Sequence, residues 1–476
     1  MINTLNIPIL RQGRVYESLD AAELKHFRTG EVVVRVGQAN AGLIKRDLAK
    51  AHTARSVLLQ RSTADMIAIC QRAGELFVTS DLPLTEGQQQ SPDDYVQQLS
   101  ATTGLPYALV RRNMGKLHEA LTQMPTVMKG LTRNLSPEVL DQGWGQQHEL
   151  PISYFAMTDM LGVVLPSNSP GVNSLWLPAL ALRMPVAIKP GREEPWTPWR
   201  LMQAFIAAGC PAEAFSFYPT DHEGAAAILL QAGRGLLFGD VSTTAQYAND
   251  PRIQLHGPGY SKVILGPDAA EHWQDYLEII AASVADNGGR SCINASTILT
   301  PAHGRDLAEA LAIILAKLVP LPVEHAEAKL AGFANARFAQ SIDETLDQAL
   351  SVQGTEDFSA RHRDTPRRVV CDGATYLQPT IVFCDKADHP LANREFLFPF
   401  AAVVEQPMEQ IASQLGPTLV ATVLTEDPVW RDKFLGHRHI ERLNLGAIPT
   451  SRVTWDQPHE GNLFEFLYRR RAIQVG

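Results

Sequence analysis

Short apolar strand patterns that alternate with helical patterns dominate the chain after about residue 160. A short apolar segment typical of a buried strand runs from Leu161 to Leu165, and similar segments occur at Val186 to Ile188 and Leu236 to Phe238. Helical stretches such as Trp199 to Ala208 separate these strands. Strands that alternate with helices indicate βαβ units and a parallel sheet. Because such sheets bind ligands beyond the carboxyl ends of their strands, we expect ligand sites in the loops that follow these strands.

A second alternating block begins near Lys262 and continues through strand patterns at Ser296 to Leu299 and Leu419 to Leu424. The 476 residues are too many for one small core, so two or three domains are expected. Before about residue 140 the pattern is mainly helical. The last segment, Asn462 to Val475, alternates as a strand does and, being terminal, is expected to dock on another element.

The composition excludes several classes of function. A net charge of -9 argues against nucleic acid as a partner, because phosphate binding needs clustered Lys and Arg. No signal peptide is expected, and the longest apolar stretches fall far short of the ~20 residues that span a bilayer, so no membrane partner is expected. The five cysteines have no CxxC spacing, which predicts no metal site and favours a reducing compartment, with the cytoplasm as the expected location.

Two loops carry residues suited to chemistry at a carbonyl group. Pro166-Ser-Asn-Ser-Pro170 follows a predicted strand and holds the Asn168 amide between two prolines, as a rigid donor for an oxyanion, although such a composition also forms ordinary turns. In Asp286-Asn-Gly-Gly-Arg-Ser-Cys292, the two glycines permit close approach to a ligand. Arg290 is expected to lower the pKa of the Cys292 thiol and make it a nucleophile. The alternative is that Cys292 is a small buried apolar residue.

A third loop, Arg394-Glu-Phe-Leu-Phe-Pro399, presents Glu395 either as an acceptor for a ribose diol or as a solvated carboxylate. No G-x-G-x-x-G fingerprint follows a predicted strand, and Gly233-Arg-Gly235 and Gly257-Pro-Gly259 have the wrong spacing. An ordinary Rossmann dinucleotide site is therefore not supported, and a dinucleotide would have to bind in another way.

Together, in order and spacing, these loops resemble the aldehyde dehydrogenase superfamily from roughly Tyr154 to Ala401. The resemblance covers the proline-Asn-Pro loop, the cofactor strand, the nucleophile loop and the nicotinamide-ribose motif of that family. No one of these motifs is decisive, but all of them in order are specific. The matching segments are Gly162–Pro170, Pro178–Ala181, Val186–Pro190, Asn287–Ala295, Gln378–Thr380 and Glu395–Pro399.

The resemblance implies an α/β fold with a Rossmann-like cofactor domain, an α/β catalytic domain and a small β oligomerisation element. It assigns 1–140 and 157–257 to the NAD(P)-binding domain, 258–450 to the catalytic domain, and 141–156 with 451–476 to the oligomerisation element. A β-hairpin is expected near Trp144 to Ala156, and with the terminal strand from Asn462 it would pair with another subunit. Because an isolated hairpin is only marginally stable, a homodimer or homotetramer is expected.

The resemblance also implies residue roles. Cys292 would attack the carbonyl carbon, and the Asn168 amide with the Cys292 backbone N–H would hold the oxyanion. Lys189 would bind the adenosine ribose, Glu395 the nicotinamide ribose, and Gly239 would lie near the pyrophosphate. The implied cofactor-binding residues are Leu165, Pro166, Ser167, Lys189, Arg192, Gly239 and Glu395.

One departure from the family pattern bears on the reaction. Hydrolytic members carry a Glu in a Glu-Leu-Gly-Gly segment, where it activates water, but 251–267 contains no Asp or Glu. Gln254 or His256 stands in that place, and His256 is a candidate base or a structural residue. The Gly257-Pro-Gly259 and Lys262 pattern is closer to CoA-acylating members and fatty acyl-CoA reductases. The prediction is therefore interconversion of an aldehyde and an acyl thioester with coenzyme A; hydrolytic oxidation to a carboxylic acid, and a scaffold that has lost catalysis, are the alternatives.

A second departure concerns the cofactor. Many NAD-using members have a Glu where Arg192 stands, and it accepts from the 2′-hydroxyl of the adenosine ribose. A cation there favours a 2′-phosphate, so NADP(H) is the expected cofactor. Neighbouring Glu193 would act in the opposite direction.

Overall fold

The computed structural model describes residues 5–85 and 87–475. Its first part combines short strands with a helical layer. Ser62 and Ser91 start two of these helices as capping boxes, accepting from the backbone N–H of Asp65 and Asp94. The elements of this part are β1 (Leu5–Ile7), β2 (Ile9–Arg11), β3 (Arg14–Tyr16), β4 (Ala21–Lys25), β5 (Val32–Gly37), α1 (Ala41–Leu48), α2 (Ala51–Leu58), α3 (Thr63–Thr79), β6 (Leu82–Thr85), β7 (Gln88–Gln90), α4 (Pro92–Thr103), α5 (Tyr107–Thr122), α6 (Met124–Thr132) and α7 (Pro137–Gln142).

The middle part supplies most of the first large sheet. This sheet has seven strands in the order β14-β13-β10-β11-β12-β2-β3, and β10 to β14 are parallel. Its central strands are buried on both faces, as expected of a parallel sheet between two helical layers. The elements are β8 (Trp144–Gln147), β9 (Leu150–Ala156), β10 (Met160–Val164), α8 (Pro178–Ala181), β11 (Val186–Lys189), α9 (Trp196–Ala207), β12 (Phe215–Phe217), α10 (His222–Gln231), β13 (Gly233–Phe238), α11 (Val241–Thr244) and β14 (Ile253–His256).

The last part forms a second seven-stranded sheet, in the order β17-β20-β21-β16-β15-β22-β23. All of its strands are parallel except β17, which pairs antiparallel with β20. The elements are β15 (Ser261–Leu265), α12 (Pro267–Glu271), α13 (Leu277–Ala285), β16 (Ala295–Thr300), α14 (Gly304–Leu315), α15 (Ala336–Leu350), β17 (Thr355–Asp357), β18 (Arg368–Cys371), β19 (Ala374–Leu377), β20 (Thr380–Cys384), β21 (Phe400–Glu405), α16 (Met408–Ser413), β22 (Thr418–Leu424), α17 (Pro428–Arg431), β23 (Ile440–Leu445), α18 (Leu463–Leu467) and β24 (Tyr468–Arg471).

The two large sheets have separate cores. In the second sheet, Ile264 and Ala402 point to one buried cluster, and their neighbours Val263 and Val403 point to another. This alternation places one hydrophobic layer on each face of the sheet. The chain passes from the first sheet to the second between β14 and β15, which agrees with the expected α/β architecture, while the exact domain boundaries stay a prediction.

A third, small sheet joins the C-terminus to the middle of the chain. It has the order β24-β9-β8, and Tyr468 of β24 is paired with Ala156 of β9. The hairpin expected between Trp144 and Ala156 is therefore present. The prediction of a strand over Asn462 to Val475 is wrong in its first half, where the Asn462 side chain caps α18 instead.

The facing edges of the two large sheets create the cleft of the molecule. The loops after β10, β13 and β14 lie at the carboxyl edge of the first sheet. The loops before β15, β16 and β21 lie at the amino edge of the second. Within the described ranges no helix has the length and apolar character needed to cross a bilayer.

Candidate active site

Cys292 lies just after a tight turn that glycines make possible. Asn287, Gly288 and Gly289 have φ values of 54°, 66° and 67°. A Cβ on Gly289 would overlap the backbone of Phe398, so only glycine permits this approach. The turn therefore brings the predicted nucleophile loop against the loop of the predicted ribose-binding carboxylate.

Cys292 forms part of the wall of two cavities. One, with a volume of about 630 Å³, is also lined by Asn168 and Glu395, and we call it the cofactor cavity. The other, of about 400 Å³, is also lined by Lys116 and Trp455, and we call it the substrate cavity. Cys292 is partly exposed. It is therefore placed to contact a different ligand on each side, which an inert cysteine in apolar packing would not be.

The nearest carboxylate to the thiol comes from the C-terminal segment. Cys292 Sγ donates to Glu460 Oε1 at 3.5 Å, and Glu460 Oε2 accepts from His256 Nδ1 at 2.9 Å. The ring of Phe238 stacks on His256, with centroids 4.4 Å apart and planes 12° apart, which fixes the imidazole. Cys292, Glu460 and His256 thus form one hydrogen-bonded line, with the histidine and the carboxylate both buried.

The electrostatics of this line keep Glu460 ionised and Cys292 protonated. Burial disfavours the carboxylate and is the largest single effect, but the hydrogen bond from His256, the nearby charges of His459 and His256 and the hydrogen bond from Cys292 together outweigh it and lower the pKa of Glu460 to about 2. Burial, and then the charges of Glu460 and Glu395, raise the pKa of the Cys292 thiol. The resting group is therefore a thiol whose proton already has an acceptor.

The expected effect of Arg290 on the thiol is wrong. The Arg290 guanidinium is buried and points away from the thiol, donating to the backbone oxygens of Thr103 and Gly332. It also lies over the ring of Phe333, 5.1 Å from the centroid. The prediction relied on the closeness of Arg290 to Cys292 in sequence. In the structure, the Arg290 side chain packs away from the thiol.

The expected oxyanion donors lie on the cofactor side of Cys292. Asn168 Nδ2 donates one hydrogen to the carbonyl oxygen of Arg290 at 2.7 Å, which holds the amide against the nucleophile loop. Within 5–85 and 87–475, the backbone N–H of Cys292 donates to no protein acceptor. The second amide hydrogen of Asn168 and this N–H are the two donors that an oxyanion hole requires.

Glu395 faces the cofactor cavity and is held in place by hydrogen bonds from backbone N–H groups. Its Oε2 accepts from the N–H groups of Gly259 and Tyr260 at 2.8 and 2.9 Å. Burial raises the pKa of Glu395 to about 7 in spite of these hydrogen bonds. Its Oε1 bonds to no other residue in the described ranges, so one oxygen is left for a ligand.

The remaining predicted cofactor residues gather at the carboxyl edge of the first sheet. Leu165 N–H donates to Lys189 O at 2.9 Å, and a Cβ on Gly191 would overlap the carbonyl of Pro166, so the loops after β10 and β11 pack tightly. Ser167, Pro166 and Gly239 line the cofactor cavity, whereas Lys189 and Arg192 line a neighbouring cavity of about 390 Å³.

The Gly257-Pro-Gly259 and Lys262 pattern has a packing explanation. A Cβ on Gly259 would overlap the carbonyl oxygen of Cys292, which also accepts from Ser261 Oγ at 2.8 Å. Lys262 is buried, and its Nζ donates to Tyr260 O at 2.7 Å and to two acceptors before β22 or at its start. Packing against the nucleophile loop accounts for this pattern without reference to the acyl acceptor.

Sequence reasoning missed Glu460 entirely. It is 168 residues from Cys292 and 204 from His256, in the segment 451–476 that the sequence assigned to the oligomerisation element. The available signal was the polar triplet His459-Glu-Gly461, which lacks the spacing of any known site. Only the return of the C-terminal segment to the cleft, fixed by β24 on β9, reveals the contact.

No curated protein sequence matches the chain. Three solved structures illustrate its similarity in fold. AldA indole-3-acetaldehyde dehydrogenase of P. syringae, solved with NAD+, is 15% identical with a TM-score of 0.78, and the alignment covers 99% of this chain and 96% of that one. Succinate-semialdehyde dehydrogenase from Burkholderia pseudomallei is 17% identical with a TM-score of 0.75, covering 98% and 97%. An NAD-dependent aldehyde dehydrogenase from Sinorhizobium meliloti is 16% identical with a TM-score of 0.77, covering 99% and 95%.

Identities this low show the fold alone, but the sequence itself gives the family. The sequence model described as aldehyde dehydrogenase family matches residues 17–434, which is most of the chain. The protein therefore belongs to the aldehyde dehydrogenase family and is an NAD(P)-dependent oxidoreductase.

Proposed function

We propose that the protein oxidises an aldehyde to a carboxylic acid, with Glu460 and His256 replacing the base that β14 lacks. The observation that carries this proposal is the 3.5 Å contact between Cys292 Sγ and Glu460 Oε1. Transfer to coenzyme A was the favoured prediction because 251–267 contains no carboxylate. Since the fold supplies a carboxylate from residue 460, that premise no longer holds, and water becomes the favoured acyl acceptor.

The cofactor cavity fits the nicotinamide end of a dinucleotide in the chemistry of its lining. Glu395 offers a free carboxylate oxygen for a ribose diol, and Gly257 leaves open space where a side chain would project. Lys189 and Arg192 are the residues that would hold the adenosine end. When bound, NAD(P)+ supplies the hydride acceptor.

The chain's own residues carry the attack on the carbonyl. An aldehyde in the substrate cavity meets Cys292 from the side opposite the cofactor cavity. As Sγ bonds to the carbonyl carbon, its proton passes to Glu460 Oε1. Asn168 Nδ2 and the Cys292 N–H receive the oxyanion that forms. Loss of hydride from this carbon leaves an acyl thioester on Cys292.

Hydrolysis of the thioester uses the same line of side chains. Glu460 first releases the thiol proton to solvent; water then adds to the acyl carbon and gives its proton to the carboxylate of Glu460, which the hydrogen bond from His256 orients. The C–S bond then breaks, the sulfur recovers a proton, and the carboxylic acid leaves. Because its pKa is about 2, Glu460 is ionised throughout the neutral range, which is the form that can accept a proton, although so low a pKa makes it a weak base.

Acyl transfer to coenzyme A is the second candidate. It is favoured by Gln254, which stands where hydrolytic members carry Glu and whose Nε2 donates to the Glu460 carbonyl at 2.6 Å. A thiol ionises more readily than water, so transfer to it needs less help from a base. In the reverse direction the same site would reduce an acyl thioester.

One experiment separates these functions. The enzyme is mixed with aldehyde and NAD+ or NADP+ in H₂¹⁸O, with and without CoA, and Cys292→Ala serves as the inactive control. We expect continuous NAD(P)H formation without CoA and at least one ¹⁸O atom in the acid. A single turnover that resumes only with CoA, giving an acyl-CoA, would favour the second candidate. No NAD(P)H with any aldehyde would favour a scaffold.

We also propose that the small sheet mediates self-association into a dimer or tetramer. Leu150 and Phe155 on β9 and Trp144 on β8 are 69%, 38% and 44% exposed, which is unusual for large apolar side chains on one short sheet. Light scattering tests this: Leu150→Glu is expected to shift the mass toward the monomer, and a monomeric wild-type protein would contradict the proposal.

A further inference from the structure

The substrate cavity contains one cation, Lys116, that forms no ion pair with a carboxylate of the described residues, although the charge of Glu460 favours its protonated form. Both Nη atoms of Arg112 donate hydrogen bonds to the carboxylate of Asp286 at 3.0 Å, so the charge of Arg112 is already paired. Within the described ranges, Lys116 makes neither an ion pair nor a hydrogen bond with another residue. The charged and ionisable residues that line the cavity are Arg112, Lys116, Glu119, Asp286, His459 and Glu460.

Lys116 reaches this cavity from α5 by passing over a glycine. A Cβ on Gly171 would lie 3.9 Å from Lys116 Cδ, an ordinary contact distance, so the lysine stem runs alongside this glycine. Burial, and then the charge of Arg442, lower the pKa of Lys116 to about 8, and the ammonium stays mostly protonated at pH 7. A partly buried ammonium without a partner is costly unless a ligand supplies the anion.

Apolar side chains complete the same cavity. Val172, Leu175, Val453 and Trp455 line it together with Cys292. A ligand whose carbonyl carbon meets Cys292 would therefore have methylene groups against these residues. The ammonium of Lys116 is then the group in the cavity left to bind a charged far end.

We propose that Lys116 selects aldehydes that carry a carboxylate, so that the substrate is the semialdehyde of a dicarboxylic acid. This inference rests on the proposed oxidation of aldehydes. One carboxylate neutralises one ammonium. A phosphate dianion would bring a second negative charge into a cavity that already contains Glu119, Asp286 and Glu460. A carboxylate is therefore favoured over a phosphate.

The test compares an acid with its own neutral ester. kcat/KM is measured for succinic semialdehyde and for methyl 4-oxobutanoate, with wild type, Lys116→Met, Lys116→Arg and the distant surface variant Lys433→Met. We expect wild type to prefer the acid, and Lys116→Met to reduce the acid-to-ester ratio by about 10- to 100-fold, the range of a charged hydrogen bond. Lys116→Arg should keep most of the acid-to-ester ratio of kcat/KM, and Lys433→Met should leave this ratio unchanged. Glyceraldehyde 3-phosphate, the phosphate arm, should be a poorer substrate than the semialdehyde.

Three results would overturn the inference. Wild type is expected to prefer the acid, so equal kcat/KM values for acid and ester contradict the inference. An equal fall for both compounds in Lys116→Met would mean that the lysine does not recognise the carboxylate. A shifted pH dependence of Cys292 alkylation in that variant, with the ratio unchanged, would assign Lys116 to the thiol instead. In all three cases, oxidation of the ester would still support the proposed oxidation of aldehydes. If the enzyme oxidised no aldehyde at all, that result would contradict the proposed function itself.

Discussion

Cys292 Sγ and Glu460 Oε1 lie 3.5 Å apart, although the two residues are 168 positions apart in the chain. The carboxylate has two opposing effects on the thiol. Its charge adds to burial in raising the pKa of Cys292, which keeps the resting sulfur protonated. In the proposed mechanism its oxygen also accepts the thiol proton when a carbonyl carbon arrives. The site therefore holds a poorly reactive thiol that becomes a nucleophile only as its proton moves.

This relationship gives opposite predictions for alkylation and turnover in Glu460→Gln. Removal of the negative charge should lower the thiol pKa and speed alkylation of Cys292 by iodoacetamide at pH 7.5. Turnover should fall by about 10²–10⁴, the usual contribution of a general base. Both rates are measured on the same preparation, with the exposed Glu465→Gln as a matched control. Unchanged turnover in Glu460→Gln would remove the carboxylate from the mechanism.

Asn168→Ala should lower kcat by about 10²–10³ while the fold is retained, because one of two oxyanion donors is lost. The variant also loses the hydrogen bond to the Arg290 carbonyl, so circular dichroism and cofactor binding are measured beside the kinetics. Alkylation of Cys292 should change little, because the thiol proton goes to Glu460. A loss of turnover accompanied by an equal loss of alkylation would indicate a displaced loop instead.

Much of the fold follows from local patterns in the sequence. The alternation around Leu161 and Val186 predicts the parallel strands β10 and β11, and parallel strands bring the loops at their carboxyl ends to one edge. Asn168 and Cys292 were predictable as partners only through the family resemblance, because Cys292 precedes β16 at the amino edge of the other sheet. The N-terminal strands β1 to β5 were not predicted, because their short and partly exposed segments lack a clear period.

Features set by tertiary contacts could not be predicted in this way. The direction of the Arg290 side chain depends on carbonyl groups at Thr103 and Gly332, far away in sequence. The position of Glu460 depends on how the C-terminal segment returns to the cleft. Residues 463–467 belong to the predicted terminal strand, yet form a helix because the Asn462 side chain accepts from backbone N–H groups of the first turn.

Glu395→Gln should alter the pH dependence of stability in the cofactor-free protein. Burial raises the folded-state pKa of Glu395 from 4.5 to about 7, so the folded protein holds this proton more tightly than the unfolded chain. Stability from this group is fully present below pH 4.5 and is lost as the pH rises through 7. Wild type should therefore lose more stability than Glu395→Gln between pH 5 and pH 8, on the order of 2 kcal/mol.

The measurement is the urea midpoint of both proteins at several pH values in that range. Other titrating groups such as Glu194, whose pKa burial raises to about 8, are common to both proteins and cancel in the difference. The glutamine oxygen can still accept from the N–H groups of Gly259 and Tyr260, so the loop contact is kept. Parallel curves for the two proteins would contradict a raised pKa at Glu395.

Arg192→Glu should shift the cofactor preference from NADP+ toward NAD+. Arg192 is exposed at the rim of the cavity that also contains Lys189, where the adenosine ribose is proposed to bind. A guanidinium there attracts a 2′-phosphate, whereas a carboxylate repels it and accepts a hydrogen bond from a 2′-hydroxyl. The ratio of kcat/KM for NADP+ to that for NAD+ should fall by at least about tenfold, since two charge units change beside the phosphate. Lys433→Glu, which makes the same charge change far from the cleft, controls for net charge, and a wild-type enzyme that clearly prefers NAD+ would defeat the prediction.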